Sequence, residues 1–135
     1  MVSYISMAKH NGKNGKPIKF IDLFCGIGGF RIATEQLGSE LGSPVRCVFS
    51  CDIDDDCKTA YTANFGERPA GDIASLKAEE IPDHDILLAG FPCQPFSIIG
   101  HRKGFDDTRG TLFFEIARIL EAKNQKHLYW KTSNY

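Results

Sequence analysis

The stretch "IKFIDLFCGIGGFRIATEQLG", residues 18–38, decides the fold that this sequence encodes. Its first seven residues are mostly apolar, which is typical of a strand buried on both faces of a parallel sheet. The glycine-rich turn "CGIGG" follows. The next residues place Phe30, Ala33 and Leu37 at helical spacing, with Gly38 as the expected C-cap. A strand, a tight turn and a helix in this order indicate one unit of an α/β sheet.

The rest of the chain continues the alternation of strands and helices. The segments "VRCVFSCD" and "HDILLAG" are predicted strands, and "PAGDIASL" is predicted to hold a short strand and a turn. Helices are predicted for "DDCKTAYTANFG", which has acidic residues at its start, and for "TRGTLFFEIARILEAK", which carries Leu112, Ile116 and Leu120 on one stripe. This alternation favours a doubly wound parallel sheet.

Length and charge limit the organisation of the chain. A chain of 135 residues is long enough for one domain with a hydrophobic core and too short for two. We expect residues 1–16 to form a flexible leader, residues 17–126 to form the domain, and residues 127–135 to be an aberrant tail. The net charge of −1 gives no overall positive field for nucleic acid, although a local cleft can still be positive.

The cysteines and the N-terminus indicate a cytoplasmic protein. The five cysteines are odd in number and irregularly spaced, and the N-terminus lacks the continuous apolar run of a secretory signal. Free thiols in a reducing compartment are therefore expected, with Cys47, Cys51 and Cys57 as small buried hydrophobic residues. No C-x-x-C pair is present, so no metal site is predicted, and no apolar stretch is long enough to cross a membrane.

The glycines of the first turn, together with two later acids, predict a nucleoside pocket. Gly26, Gly28 and Gly29 let the backbone approach a ligand and aim helix N–H groups at it, although an ordinary tight turn is the alternative. Asp52 ends the second strand, where a carboxylate can accept ribose hydroxyls, and Asp72 is expected to end the next strand within reach of an adenine amino group. The alternative for each is a surface or capping acid. The spacing departs from G-x-G-x-x-G, which favours S-adenosylmethionine over NAD.

The loop "GFPCQPFS", residues 90–97, holds a cysteine between two prolines. Pro92 and Pro95 restrict the backbone on both sides of Cys93, so its thiol is pre-oriented. A thiolate nucleophile needs positive charge nearby. Three basic side chains follow: His101, Arg102 and Lys103. They could supply this charge or contact phosphates, and a solvated basic loop around a structural cysteine is the alternative.

Five elements occur in one order: "DLFCGIGGF", the acid of "SCDID", "GDI", "GFPCQPFS" and "DDTRGTLFFEIARILEA". Together they resemble the DNA (cytosine-5) methyltransferases, from Lys19 to about Lys126. The resemblance implies an incomplete S-adenosylmethionine-dependent methyltransferase (Rossmann-like) doubly wound parallel sheet. It also implies double-stranded DNA as the substrate, a bacterial or phage origin and a restriction–modification system.

The resemblance implies roles for individual residues. Those expected to bind the cofactor are Phe24, Gly26, Gly28, Gly29, Asp52, Ile53, Asp72, Ile73 and Pro92. Those expected to contact DNA are Gln94, Ser97, His101, Arg102, Lys103 and Arg109. Cys93 would be the catalytic nucleophile, attacking C6 of a cytosine flipped out of the duplex so that C5 accepts the methyl group. For Arg109, a salt bridge with Asp106 or Asp107 is the alternative.

The family pattern continues with a strand ending in Glu-Asn-Val, where this chain reads "KHLYWKTSNY". The codons of Tyr129 to Thr132, read two bases later, encode Leu, Glu and then Asn or Asp. We therefore expect a frameshifted, truncated methyltransferase that has lost its next strand, leaves the sheet edge after helix 110–123 exposed and has little activity alone. The alternatives are an S-adenosylmethionine-binding fragment that needs a complementing C-terminal chain, an RNA (tRNA) cytosine-5 methyltransferase relative and, more distantly, an NAD-dependent dehydrogenase.

Overall fold

A computed structural model of the chain describes residues 16–92, 108–123 and 128–133. The strands are β1 (Ile18–Leu23), β2 (Val45–Cys51), β3 (Ile86–Pro92) and β4 (Leu128–Ser133), and the α-helices are α1 (Gly29–Glu40), α2 (Asp55–Phe65) and α3 (Thr108–Ala122). Two short 3-10 helices, Ile73–Ser75 and Ala78–Glu80, lie between α2 and β3. Strands and helices alternate along the chain, as the sequence predicts.

The strands form one parallel sheet in the order β2-β1-β3-β4. Successive residues of β1 point to opposite faces. Phe20 packs with Phe30 of α1 on one face, while Ile21 packs with Ile116 and Ile119 of α3 on the other. Because helices cover both faces, the doubly wound parallel sheet is confirmed.

The end of the sheet differs from the prediction. The sequence interpretation leaves the edge beyond β3 exposed, whereas the structure places β4 there, parallel to β3 and paired from Leu87↔Leu128 to Pro92↔Ser133. Strand pairing uses backbone groups, and the run "LYWKT" is rich in aromatic and β-branched residues that favour strands. The expectation of a missing strand is therefore wrong.

The end of α1 is also a correction. The helix continues past Gly38 to Glu40 and is capped at Leu41, so Gly38 is not the C-cap. A Cβ at Gly38 would lie 2.8 Å from the Val45 side chain and 2.9 Å from the carbonyl oxygen of Ser43. Gly38 therefore allows α1 to pack closely against the start of β2.

The predicted apolar stripe of α1 is only partly correct. Phe30 is partly buried, but Ala33 and Leu37 are exposed. The buried positions of the helix include Arg31, whose polar contacts the hydrophobic spacing could not indicate. On α3 the predicted stripe is confirmed, since Ile116 is buried and Leu112 and Leu120 pack partly buried against the core.

Four cysteines fall within the described residues, and all four are free thiols. Cys25, Cys47 and Cys51 are buried, whereas Cys57 is half-exposed. Across residues 16–92, 108–123 and 128–133, the structure contains no helix with the length and hydropathy needed to cross a membrane.

Candidate functional site

The carboxyl ends of the first three strands lie side by side. Leu23, the last residue of β1, pairs with Cys51 of β2 and with Ala89 of β3. An isolated parallel bridge between Cys51 and Ala70 brings the segment that follows α2 to the same edge. The glycine turn, the loop after β2, the segment around residue 72 and the end of β3 therefore meet at one edge. This edge includes the switch point between β1 and β3, where ligands of open α/β sheets bind.

The glycine turn joins β1 to α1 through three positive φ angles. They are 56° at Phe24, 54° at Gly26 and 95° at Gly28, which is the N-cap of α1. A positive φ at a phenylalanine is strained, and such strain persists where the surrounding structure enforces it. A Cβ at Gly26 or Gly29 would meet no atom within 4 Å, so one side of the turn is open. A ligand can approach the backbone of the turn from this side.

Asp52 joins the glycine turn to the loop that follows β2. Its Oδ2 accepts a hydrogen bond of 2.8 Å from the Gly26 amide, and its Oδ1 accepts one of 2.9 Å from the Asp54 amide. Each carboxylate oxygen has two acceptor positions, so Asp52 retains capacity for a ligand hydroxyl. Sequence reasoning placed Asp52 correctly at the end of β2 but missed its bond to the turn. The next residue, Ile53, is 74% exposed beside it.

The segment that contains Asp72 is not the strand that the sequence predicts. It makes only the bridge at Ala70 and then turns into the 3-10 helix Ile73–Ser75, for which exposed Asp72 is the N-cap. The Asp72 Oδ1 accepts a hydrogen bond from the Ala74 amide at 2.9 Å, because its short side chain reaches back to the turn more readily than it supports a strand. Ile73 packs in the core, so a ligand at this edge could reach it only through its backbone.

The end of β3 passes close to the glycine turn. A Cβ at Gly90 would lie 2.8 Å from the Phe30 ring and 3.8 Å from the Phe24 carbonyl oxygen. Gly90 therefore leaves room for the Phe30 ring beside the end of β3. Pro92 is the last residue of β3, and Arg109 lies in the first turn of α3. Six predicted site residues lie outside the part of the chain that the structure describes: Cys93, Gln94, Ser97, His101, Arg102 and Lys103.

Asp22 is a buried acid that sequence reasoning missed. It lies one residue before the end of β1 with none of its surface exposed, and neither carboxylate oxygen has a hydrogen-bond partner among the described residues. Burial raises its pKa from 3.8 to about 7, while the charge of Arg31 lowers it and the charge of Asp52 raises it further. The signal for Asp22 in the sequence was an acidic residue inside a mostly apolar strand.

The cysteines beside the glycine turn are unsuited to act as nucleophiles. Burial, and then the negative charge of Asp22, raises the pKa of Cys25 far above its ordinary value. Burial likewise raises the pKa of Cys51 to about 12. Both side chains therefore remain protonated thiols near neutral pH, and the thiolate is the reactive form.

A comparison with protein families agrees with this geometry. Residues 18–129 match the family model for C-5 cytosine-specific DNA methylase. The chain belongs to this family. The DNA methylase assignment confirms the family resemblance found in the sequence. The activity that defines this family is methylation of cytosine at C5 in DNA.

Two curated relatives of the DNA methylase family are bacterial. The chain is 54% identical over 112 residues to the Type II methyltransferase M.HhaI of Haemophilus parahaemolyticus, covering 83% of this chain and 32% of that protein. It is 58% identical over 105 residues to the Type II methyltransferase M.DsaV of Dactylococcopsis salina, covering 78% of this chain and 28% of that protein. These names are those of type II methyltransferases, in agreement with the predicted methyltransferase and restriction–modification classes. The chain spans about a third of the length of these relatives.

A solved structure has the same fold. The chain resembles the S. pombe Dnmt2 methyltransferase with a TM-score of 0.62 and 30% sequence identity, covering 79% of this chain and 33% of that chain. The similarity supports an incomplete Rossmann-like methyltransferase sheet.

Proposed function

We propose that this chain supplies the cofactor-binding edge of a DNA cytosine C5 methyltransferase and binds S-adenosylmethionine there. Family membership supports the reaction class. The observation that carries the cofactor proposal is the meeting of the glycine turn, Asp52 and Asp72 at one edge of the sheet. These groups lie where an open α/β sheet binds its ligand.

The groups at this edge fit the chemistry of the cofactor. The open side of the turn at Gly26 and Gly29 leaves space for a ligand against the backbone. The start of α1 has no side-chain cap, so its amides and helix dipole favour a carboxylate such as that of the methionine part. The carboxyl of Asp22, three residues before the turn in the chain, has no hydrogen-bond partner among the described residues, and a sulfonium or ammonium group nearby would favour its ionised form.

Four of the predicted cofactor residues then have specific tasks. Asp52 would accept ribose hydroxyls at its remaining acceptor positions, and Asp72 would accept a hydrogen bond from the adenine amino group. Ile53, with its exposed apolar side chain, would cover the adenine ring. When bound, S-adenosylmethionine supplies the methyl group. The predicted role of Pro92 is to line the space shared by cofactor and cytosine.

Cys93 is the proposed nucleophile for the methyl transfer. Its thiolate forms a bond to C6 of a cytosine flipped out of the duplex, which makes C5 nucleophilic toward the methyl group. After C5 has accepted the methyl group, a base removes the C5 proton and the thiolate leaves C6. The pattern of buried, protonated Cys25 and Cys51 supports the assignment of this role to another cysteine. The predicted DNA contacts of Gln94, Ser97 and the basic residues that follow belong to this same proposal.

Titration calorimetry with S-adenosylhomocysteine tests the cofactor proposal. The informative variant is Asp72→Asn, because asparagine is also a good N-cap and should preserve the 3-10 helix while removing the charge. The matched control is Asp85→Asn, since Asp85 accepts a hydrogen bond from the Lys19 amide at the amino end of β1, the edge opposite the proposed site. We expect Asp72→Asn to weaken binding roughly tenfold, because the amide oxygen of asparagine would accept a neutral hydrogen bond in place of the stronger one to a charged carboxylate.

Two results would contradict the cofactor proposal. One is the absence of saturable binding by the unmodified chain, and the other is an equal loss of affinity in the Asp72 and Asp85 variants. The nucleophile is tested by trapping with DNA that contains 5-fluorocytosine in the presence of S-adenosylmethionine. A covalent adduct is expected at Cys93 in the catalytically complete protein and not in its Cys93→Ser variant. Labelled methyl transfer to DNA, compared with tRNA, separates the proposed substrate from the RNA alternative.

A further inference from the structure

Arg31 connects α1 to the end of α2 on the face of the sheet away from α3. The side chain is in the first turns of α1, and only 8% of the residue is exposed. Its Nε donates a hydrogen bond of 2.9 Å to Glu35, and its Nη1 donates to Glu67 at 2.9 Å and to the Tyr61 hydroxyl at 3.2 Å. The guanidinium carbon lies 4.3 Å from the centroid of the Phe65 ring, within the range of a cation–π contact.

The same end of α2 supports the glycine turn. A Cβ at Gly28 would overlap the edge of the Phe65 ring and would lie 3.2 Å from the Tyr61 ring. The Asn64 side-chain amide also donates a hydrogen bond of 3.3 Å to the Ile27 carbonyl oxygen. The ring of Phe65 therefore contacts Gly28 through its edge and Arg31 through its face.

The chemistry of this cluster favours a positional role over a purely stabilising one. Glu35 and Glu67 are exposed enough that their ion pairs with Arg31 contribute little stability. Burial of the guanidinium carries a desolvation cost, and the hydrogen bonds to Tyr61, Glu67 and Glu35 outweigh it, since they raise the pKa of Arg31 above its ordinary value. The planar guanidinium directs several hydrogen-bond donors in fixed directions and presents a flat surface to an aromatic ring. The ammonium group of a lysine would do neither.

We propose that Arg31 and Phe65 are positioning residues for the proposed cofactor site. Phe65, held by Arg31, packs against Gly28, and the neighbouring Asn64 bonds to Ile27. Asp52 holds Gly26 through its amide. These contacts would fix the position of the glycine turn relative to the loop that carries Asp52 and Ile53. The inference rests on the proposed function for the identity of the ligand only, because the placement of the turn is measurable without it.

Amide hydrogen exchange, followed by nuclear magnetic resonance, tests the placement of the turn directly. The reporters are the amide of Gly26, bonded to Asp52, and the amide of Gly28, bonded to the Cys25 carbonyl oxygen at 2.9 Å. In Arg31→Lys we expect both to exchange at least tenfold faster, while core amides of α3 near Ile119 stay within about twofold. Phe65→Leu should have the same effect, and Phe65→Tyr, which keeps the ring, should restore slow exchange.

Arg118→Lys is the matched control. Like Arg31, Arg118 pairs with a glutamate on its own helix, in this case Glu115. It also donates to the Ile73 carbonyl oxygen, but it lies on α3 at the opposite face of the sheet. This variant should leave exchange at Gly26 and Gly28 unchanged. The inference fails if turn and α3 amides accelerate equally in Arg31→Lys and Phe65→Leu, or if the turn amides keep their original rates.

Affinity for S-adenosylhomocysteine gives the functional measurement. We expect Arg31→Lys and Phe65→Leu each to weaken binding about tenfold, and the double variant to be little weaker than either, because the two side chains act as one unit. Additive losses would contradict the coupling. If the unmodified chain failed to bind S-adenosylhomocysteine, the proposed function would fail, and the exchange rates would still decide whether Arg31 and Phe65 hold the turn.

Discussion

Replacement of Asp22 by asparagine should change how the stability of the protein depends on pH. Asp22 is fully buried in β1, and its two carboxylate oxygens lack hydrogen-bond partners among the described residues. Burial raises its pKa to about 7, although the charge of Arg31 opposes this shift. The ionised form of this carboxyl is therefore unfavourable in the folded protein.

The sign and size of the effect follow from proton linkage. Between pH 3.8 and about 7, Asp22 is ionised in the unfolded chain but keeps its proton in the folded one, so stability falls as pH rises. Each pH unit corresponds to about 1.4 kcal/mol, so the carboxyl costs about 4 kcal/mol of unfolding free energy by pH 8. Asparagine cannot ionise, so this loss should disappear in Asp22→Asn.

Urea unfolding at several pH values between 4 and 8 measures this difference. The free energy of unfolding of Asp22→Asn, minus that of the unmodified protein, should rise by about 4 kcal/mol across this range. Asp22→Leu is the control, because its different packing shifts the difference by a constant while leaving the same dependence on pH. Curves for the unmodified protein and both variants that run parallel from pH 4 to 8 would refute the reasoning.

Further predictions concern the glycines and the end of the chain. Gly28→Ala should lower the free energy of unfolding by roughly 2 kcal/mol or more, because φ of Gly28 is 95° and the Phe65 ring occupies the space that a Cβ would need. Gly29→Ala should leave the free energy of unfolding nearly unchanged, because a Cβ there would meet no atom within 4 Å. Gly38→Ala should cost about 1–3 kcal/mol through its contacts with Val45 and the chain at residue 43; wild-type stability in chemical denaturation would contradict this. Sequencing of the gene should reveal, with one base restored after the codon of Leu128, a reading frame that continues to match the family, and an unrelated frame there would exclude the frameshift.

Local and periodic signals in the sequence were enough to predict much of the fold. The apolar run of β1 and the glycines after it define the strand, the turn and the start of α1. The acid after "VRCVFSC" locates Asp52 beside the glycine turn, because the carboxyl ends of parallel strands lie at the same edge of a sheet. These features depend on residues that are close together in the chain.

The features that the sequence could not reveal depend on contacts between distant segments. Gly38 resembles a C-cap until β2 packs against it, and β4 forms because its backbone can extend the sheet. The contact of Phe65 with Gly28 and Arg31 joins residues about 35 positions apart, so no local pattern reports it. The lack of partners at Asp22 likewise becomes visible only once the surrounding strands are in place.

A titration of the isotope-labelled chain with S-adenosylhomocysteine, followed by nuclear magnetic resonance, tests the cofactor site most directly. We predict saturable shifts of the amide signals of Gly26, Gly28, Ile53 and Asp72, with the signals of α3 around Ile119 unchanged. The absence of a saturable shift at millimolar ligand, or saturable shifts confined to α3, would contradict the cofactor site at the carboxyl edge of this sheet.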